Sequence, residues 1–75
     1  MRLEDFKLNE IYLWQDNNTK YLEKVILISN EGITTKFIKK ICPDTPTQDT
    51  HDMFWSKNEL RGFCILTAIE KIKYL

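Results

Sequence analysis

The stretch that decides the fold is residues 20–42, which read KYLEKVILISNEGITTKFIKKIC. Its first half centres on residues 25–28 (VILI), a β-branched and aliphatic run that is apolar on both faces. Such a run predicts a strand at the centre of a sheet, or a strand that bends between two halves of it. Residues 30–32 (NEG) then predict a chain reversal, in which Gly32 can supply a positive φ if the turn demands one.

The second half of this stretch, residues 33–42, fits two periods. A strand face would carry every second residue, whereas a helix face would carry every third or fourth. The candidate strand face is Ile33, Thr35, Phe37, Lys39 and Ile41, and the candidate helix face is Ile33, Phe37, Ile38 and Ile41. Period alone does not assign such a short apolar run. The paired threonines and the preceding glycine turn favour a strand, so residues 20–42 are predicted to form a β-hairpin.

Shorter elements flank this hairpin. Residues 11–15 (IYLWQ) predict a strand with aliphatic side chains on one face and aromatic side chains on the other. Residues 16–19 (DNNT) predict a turn, because Asp and Asn side chains hydrogen-bond to their own backbone. Residues 43–52 contain two prolines and three aspartates and are predicted to be a loop. Residues 53–55 (MFW) begin a short strand after it.

The C-terminal residues leave the architecture open. Residues 56–59 (SKNE) match a capping box, which predicts a helical turn near residues 56–61 that Gly62 ends. Residues 64–75 fit a strand that contains a bulge. They also fit a helix, because apolar residues recur at every third position and residues 67–70 (TAIE) supply another capping box.

Two architectures follow from these elements. In the favoured one the protein is mainly β: three long strands, a loop, a short strand, one helical turn and a final strand close a small five-stranded antiparallel barrel. In the alternative, an α+β fold, a three-stranded antiparallel sheet packs against a C-terminal helix. The chain has 75 residues, so residues 1–75 are expected to be one small domain. A domain of this size buries roughly 60% of its extended-chain surface, so a disulfide, a metal, a homodimer or another partner would add stability.

Two segments show a further pattern. In residues 8–14 an aliphatic residue, a turn and an Ile-x-Leu strand follow one another, and in residues 54–60 a strand runs into a single helical turn. This order resembles the small Src-homology-like barrels common among short bacterial and phage proteins. The sequence departs from them at Asn9 and Glu10, where many such barrels have Gly. Because these barrels bind peptides, nucleic acids or no known ligand, the resemblance implies a fold and no functional residues.

Composition and charge restrict the function classes. Eleven Lys and Arg residues cancel eleven Asp and Glu residues, so the basic excess typical of duplex-binding proteins is absent. The longest aliphatic run is far too short to span a bilayer, and no signal peptide is recognisable, which predicts a cytoplasmic protein. Cys42 and Cys64 lack a CxxC spacing and are expected to be reduced thiols. The many Ile, Lys and Asn residues indicate an AT-rich genome, such as that of a low-GC bacterium or its phage.

The residue types needed for catalysis or metal binding do not form an established motif. His51 is the only histidine, and its spacing from Asp49 and Asp52 matches no metal-ligand pattern. Gly32 and Gly62 are isolated, so neither a P-loop nor a dinucleotide-binding fingerprint is present. The sequence also has no nucleophile elbow. We therefore expect a protein that is not an enzyme and that has no metal and no cofactor.

The aromatic side chains favour a protein partner. Tyr12 and Trp14 share the face of the first predicted strand opposite Ile11 and Leu13, and Trp55 precedes the first capping box. Exposed Trp and Tyr side chains are enriched at binding hot spots, although the same rings could plug the ends of a small barrel. We predict a non-catalytic protein-interaction module that binds through Tyr12, Trp14 and Trp55. In a phage or mobile element, such a module would bind and modulate a host protein.

The lysines near residues 36–40 predict an alternative function. A basic strip with an aromatic side chain is typical of proteins that bind single-stranded nucleic acid. The candidate residues are Lys36, Phe37, Lys39, Lys40 and Arg61. Lysines are equally typical of a solvated edge strand, where they prevent edge-to-edge aggregation. The nucleic-acid hypothesis requires the basic side chains to converge on one face of the domain.

Overall fold

The computed structural model describes residues 1–42 and 52–75, which form a five-stranded antiparallel sheet and one α-helix. The strands are β1 (Ile11–Gln15), β2 (Lys20–Ser29), β3 (Gly32–Cys42), β4 (Asp52–Ser56) and β5 (Phe63–Ile65), and the helix is α1 (Ala68–Tyr74). Single 3₁₀ turns at Leu3–Asp5 and Leu60–Gly62 precede β1 and β5. The order of the strands in the sheet is β4-β3-β2-β1-β5.

The predicted hairpin of residues 20–42 forms the centre of the sheet. β2 pairs with β3 along its whole length and with β1 on its other side. The register between β2 and β3 shifts at three places, one of them between Val25 and Leu27 in the apolar run. Because β-bulges bend a strand and increase its twist, β2 is the central, bending strand that the sequence predicts.

Glycine is required at position 32 because the backbone of β4 passes close to it, and not because of its φ angle. Among the described residues no glycine has a positive φ, so the turn does not demand the conformation that Gly32 could supply. A Cβ atom at this position would overlap the carbonyl oxygen of Trp55. Only glycine therefore lets β4 run this close to the start of β3. Within residues 1–42 and 52–75 the left-handed residue is Asn9, with φ 68°, in the turn before β1.

The predicted barrel is not closed. β4 and β5 are the two edges of the sheet, and no strand pairing joins them within the described residues. In a flat sheet these edges would be about 19 Å apart, four steps of about 4.8 Å. The rings of Trp55 in β4 and Phe63 in β5 nevertheless lie 5.1 Å apart, centroid to centroid. The sheet therefore curls until its edges meet through side chains.

The local sequence after β5 explains why closure fails. The Glu70 amide donates to Thr67 Oγ1 at 3.1 Å, and the Thr67 amide donates to Glu70 Oε1 at 3.0 Å. This capping box starts α1 and limits β5 to three residues. The final strand of the favoured architecture is present only as the short β5, and it does not close a barrel. The C-terminal helix of the alternative architecture is confirmed, but it accompanies five strands and not three.

The first predicted capping box is only half formed. Glu59 Oε1 accepts a hydrogen bond from the Ser56 amide at 3.4 Å, as expected. The Glu59 amide, however, donates to the Ser56 carbonyl oxygen and not to its hydroxyl. The helical turn predicted near residues 56–61 accordingly begins late, at Leu60, and ends at Gly62.

The predicted loop at residues 43–52 falls mostly outside the described residues. Asp52 is described and begins β4, so the predicted loop is one residue too long at that end. The candidate metal ligands Asp49 and His51 also lie outside the described residues. In residues 1–42 and 52–75 no group of three His, Cys, Asp or Glu side chains could hold a metal ion. No helix in this part of the chain is long and apolar enough to cross a bilayer.

Apolar clusters pack on both faces of the sheet. The inner cluster fills the curl and contains Phe6, Tyr12, Val25, Ile33, Leu60 and Phe63. The outer cluster contains Leu13, Leu22 and Leu66, with Tyr74 of α1 packed against them. We call the two sides of the sheet the inner face and the outer face. β1 is buried on both, with its aromatic side chains on the inner face and its aliphatic side chains on the outer face.

Candidate functional site

Tyr12, one of the three aromatic residues predicted to bind a partner, is a core residue. Its side chain is 4% exposed, and its ring meets Phe6 edge-on with the centroids 4.9 Å apart. Its hydroxyl accepts a hydrogen bond from the Lys7 amide at 2.8 Å. Because the curled sheet buries the aromatic face of β1, Tyr12 offers almost no surface to a partner. We therefore remove it from the candidate site.

Trp14 and Trp55 are half-buried and belong to a longer row of rings. Trp14 stacks on Tyr21, with the centroids 5.3 Å apart and the planes at 27°, and lies 5.6 Å from Trp55. Tyr21 in turn meets Phe37 edge-on at 5.8 Å. We call the row of Trp55, Trp14, Tyr21 and Phe37 the aromatic strip. All four rings are half-buried on the inner face, and Phe37 joins them although the sequence analysis grouped it with the lysines.

The turn between β1 and β2 sets the register of the strip. Asp16 Oδ1 accepts hydrogen bonds from the Thr19 hydroxyl at 2.6 Å and from the Thr19 amide at 2.9 Å. The hydroxyl bond, supported by backbone amides, holds the pKa of Asp16 below its ordinary value of 3.8. The turn places Trp14 directly opposite Tyr21, and opposed residues of antiparallel strands share a face. The predicted turn thus implied this pair, but the sequence analysis missed Tyr21.

Gly62 holds the Trp14 indole in place. A Cβ atom at Gly62 would lie 2.5 Å from Trp14 Nε1 and 2.9 Å from Trp14 Cδ1, so the ring packs directly on the backbone. The N-terminal amino group of Met1 donates to the Leu60 carbonyl oxygen at 3.3 Å, which ties the same 3₁₀ turn to the N-terminus. A ring fixed in this way loses little conformational freedom when a partner binds.

Trp55 is held by a chain of buried hydrogen bonds. Its Nε1 donates to Thr35 Oγ1 at 2.8 Å, and the Thr35 hydroxyl donates to Glu23 Oε1 at 2.9 Å. Glu23 is 2% exposed and Thr35 is completely buried. Leaving such a buried donor without an acceptor would cost about 1–3 kcal/mol. Sequence analysis missed this chain because Glu23 and Thr35 are 12 residues apart and meet only through the β2–β3 register.

The basic residues of the nucleic-acid hypothesis lie on both faces of the sheet. Lys36 and Lys39 pair with outward-facing residues of β2, whereas Lys40 pairs with Tyr21 on the inner face. Arg61 is exposed in the 3₁₀ turn before β5. Lys39 and Lys40 point to opposite faces because successive strand residues alternate, and the register shift between Leu22 and Glu23 places Lys36 on the same face as Lys39. The structure therefore does not bring the three lysines to one face, and only Lys40 lies beside the aromatic strip.

Cys64 lies in the outer cluster, on the face opposite the strip, and is a free thiol. Burial raises the pKa of this thiol above its ordinary value of 9.0, and the nearby Glu70 carboxylate raises it further. The thiol therefore stays protonated at neutral pH. A protonated thiol is a poor nucleophile, so Cys64 adds no reactive group to the candidate site.

Comparison with known proteins adds no information about the site. No protein family, curated protein or solved structure matches the chain. The resemblance to Src-homology-like barrels stays a prediction. The function is therefore inferred from the geometry of the aromatic strip.

Proposed function

We propose that the protein is a non-catalytic protein-interaction module whose partner contacts the aromatic strip. The observation that carries this proposal is the strip itself, four half-buried rings in mutual contact on one face of a curled sheet. Aromatic side chains combine a large apolar surface with few rotatable bonds. A row of them that remains partly exposed is typical of a binding hot spot.

The anchoring of the strip supports this proposal. Trp14 packs on the backbone of Gly62, and Trp55 is hydrogen-bonded to Thr35. Binding therefore does not have to order these two rings, and ordering a flexible side chain at an interface costs about 0.5–1.5 kcal/mol. Rings held in one arrangement are more suited to a defined partner surface than to a variable one.

The distribution of charge favours a protein over a nucleic acid at this strip. Proteins that bind single strands combine stacking rings with a positively charged groove along the backbone. Here Lys40 alone of the three predicted lysines lies beside the rings, and the whole chain has no net charge. Binding of single-stranded nucleic acid through Lys36, Phe37, Lys39, Lys40 and Arg61 stays an alternative prediction.

Affinity capture with matched variants tests the proposal. The baits are the unmodified protein, Phe37→Ala and Leu27→Ala, each mixed with lysate of the source cells, with and without nuclease, at low and high salt. Phe37 is chosen because it ends the strip, whereas Leu27 is an exposed aliphatic residue of the same hairpin outside the strip. Truncation of a hot-spot ring costs about 2 kcal/mol, which weakens binding about thirtyfold.

The expected result is one protein that the unmodified protein and Leu27→Ala retain at high salt and that Phe37→Ala loses. A bound protein retained equally by all three baits would place the interface elsewhere. Material that is recovered only at low salt and disappears with nuclease would favour the nucleic-acid alternative, since phosphate contacts weaken steeply with salt.

A further inference from the structure

β4 is an edge strand without the usual protection against pairing. In the described part of the chain it pairs with β3 alone, and this pairing is regular over five residues. One row of its backbone N–H and C=O groups therefore has no strand partner among the described residues. Natural edge strands commonly carry a central charge, a proline or a bulge, or are very short. β5 is protected by its length of three residues, but the centre of β4 is Met53-Phe54-Trp55.

An apolar row on the outer face leads to this edge. Phe54 is 55% exposed and lies opposite Thr34 of β3, which in turn lies opposite Leu27 of β2, itself 58% exposed. The outer cluster beneath α1 includes neither Phe54 nor Leu27. A strand added beside β4 would extend this row and cover part of the Phe54 ring.

The two ends of β4 carry opposite charges. Asp52 begins the strand and Lys57 follows its last residue, and both side chains are exposed. If two copies of β4 pair in antiparallel fashion, the acidic start of each strand lies beside the basic end of the other. Parallel pairing would instead bring like charges together, which is destabilising. The strand is therefore complementary to a second, antiparallel copy of itself.

The alternation of side chains fixes the register of such a pair. Opposed residues must share a face, so a two-fold axis at Phe54 places the two Phe54 rings opposite each other on the outer face. Met53 of one copy then lies opposite Trp55 of the other on the inner face, and both positions are apolar. Because a two-fold interface uses the same surface on both copies, association ends at the dimer.

We propose that two copies of this chain form a dimer through antiparallel pairing of their β4 strands, with the Phe54 side chains facing each other across a two-fold axis. The pairing joins the two sheets into one continuous sheet. This inference does not rest on the proposed function, because its central residue, Phe54, lies on the face opposite the aromatic strip, and Trp55 is the one strip residue that the paired strand would also approach. If the protein does not dimerise through β4, the aromatic strip remains a candidate interface. If the strip binds no protein, the β4 dimer remains a candidate.

Site-specific disulfide formation tests the register directly. Phe54→Cys and Leu27→Cys place a thiol at two positions of nearly equal exposure on the same outer face. Opposed residues in antiparallel strands have Cα atoms about 4.5–5.5 Å apart, within the range of about 4.4–6.8 Å that a disulfide requires. Under mild oxidation we expect Phe54→Cys to become a covalent dimer and Leu27→Cys to stay a monomer. Peptide mapping should assign the bond to the introduced thiols and not to Cys42 or Cys64.

Sedimentation equilibrium provides the second measurement. We expect the unmodified protein to dimerise reversibly and Phe54→Lys to raise the dissociation constant at least about tenfold, because two like charges then face each other. Circular dichroism of each variant shows that it is folded. Three results would overturn the proposal: an unmodified protein that is monomeric at its highest soluble concentration, a dimer unaffected by Phe54→Lys, or equal cross-linking at both introduced thiols.

Discussion

Glu23 and Thr35 place a polar pair inside the sheet, and the pair orients an aromatic ring near its surface. Thr35 both accepts from the Trp55 indole and donates to Glu23, so it connects a buried carboxyl group to the aromatic strip. The contributions of such connected hydrogen bonds to stability depend on one another, because the loss of one group leaves another without its partner. The position of Trp55 therefore depends on a residue outside the strip.

Thr35→Val tests this chain of hydrogen bonds. The substitution keeps the shape of the side chain but removes the acceptor of the Trp55 indole and a donor to Glu23. We expect the free energy of unfolding to fall by about 1–3 kcal/mol, measured by urea denaturation. Thr34→Val is the matched control, since Thr34 is the neighbouring residue on the outer face. Equal stability of the two variants would show that the hydrogen-bond chain does not stabilise the fold.

Gly62→Ala tests the contact between the Trp14 indole and the backbone. The added methyl group would overlap the ring, so the indole must move or the 3₁₀ turn must shift. We expect a loss of about 1–3 kcal/mol in urea denaturation and a change in tryptophan fluorescence. In a Trp14→Phe background the smaller ring leaves more room, so the same substitution should cost less. An equal cost in both backgrounds would show that Trp14 is not the residue that requires Gly62.

At the scale of elements, the sequence predicted an element correctly where several local signals agree. β-branched residues, threonines and a glycine turn all indicate the β2–β3 hairpin, which the structure contains. The C-terminal residues were ambiguous because their apolar period fits a helix and, with a bulge, a strand. The capping box at Thr67 and Glu70 decides for the helix, since it satisfies two amides that would otherwise lack partners.

The capping box also predicts a pH dependence of α1. The hydrogen bond from the Thr67 amide lowers the pKa of Glu70 below its ordinary value of 4.5. A hydrogen bond with the Thr67 side chain lowers this pKa further. A carboxyl group with a lowered pKa in the folded state stabilises that state above the unfolded pKa. This stabilisation is lost as the pH falls through the lower, folded pKa.

NMR chemical shifts of residues 68–74, recorded between neutral and strongly acidic pH, measure this loss. We expect the helical shifts to decrease only below the ordinary pKa of a glutamate. Glu70→Gln is the control, because glutamine can accept the same hydrogen bond but does not titrate. If the helix of Glu70→Gln shows the same acid transition, another group is responsible for it.

At the scale of the whole molecule, the curvature of the sheet decides which aromatic rings remain accessible. The curl buries Phe6, Tyr12 and Phe63 in the inner cluster and leaves the strip half-buried. Sequence analysis identified Trp14 and Trp55 as candidates, but the degree of curling depends on where β5 ends and on long-range ring contacts. Those features do not follow from local patterns, which explains why the closed barrel was mispredicted and why the sequence left the burial of Tyr12 open.

Photo-cross-linking from the aromatic strip tests whether a protein partner contacts it. p-Benzoylphenylalanine replaces Phe37 in one variant and Leu27 in a control, and each is irradiated in lysate of the source cells. We expect one discrete protein adduct from position 37 that is absent from position 27. A protein adduct from position 27 alone, or nucleic-acid adducts alone from position 37, would contradict a protein interface on the aromatic strip.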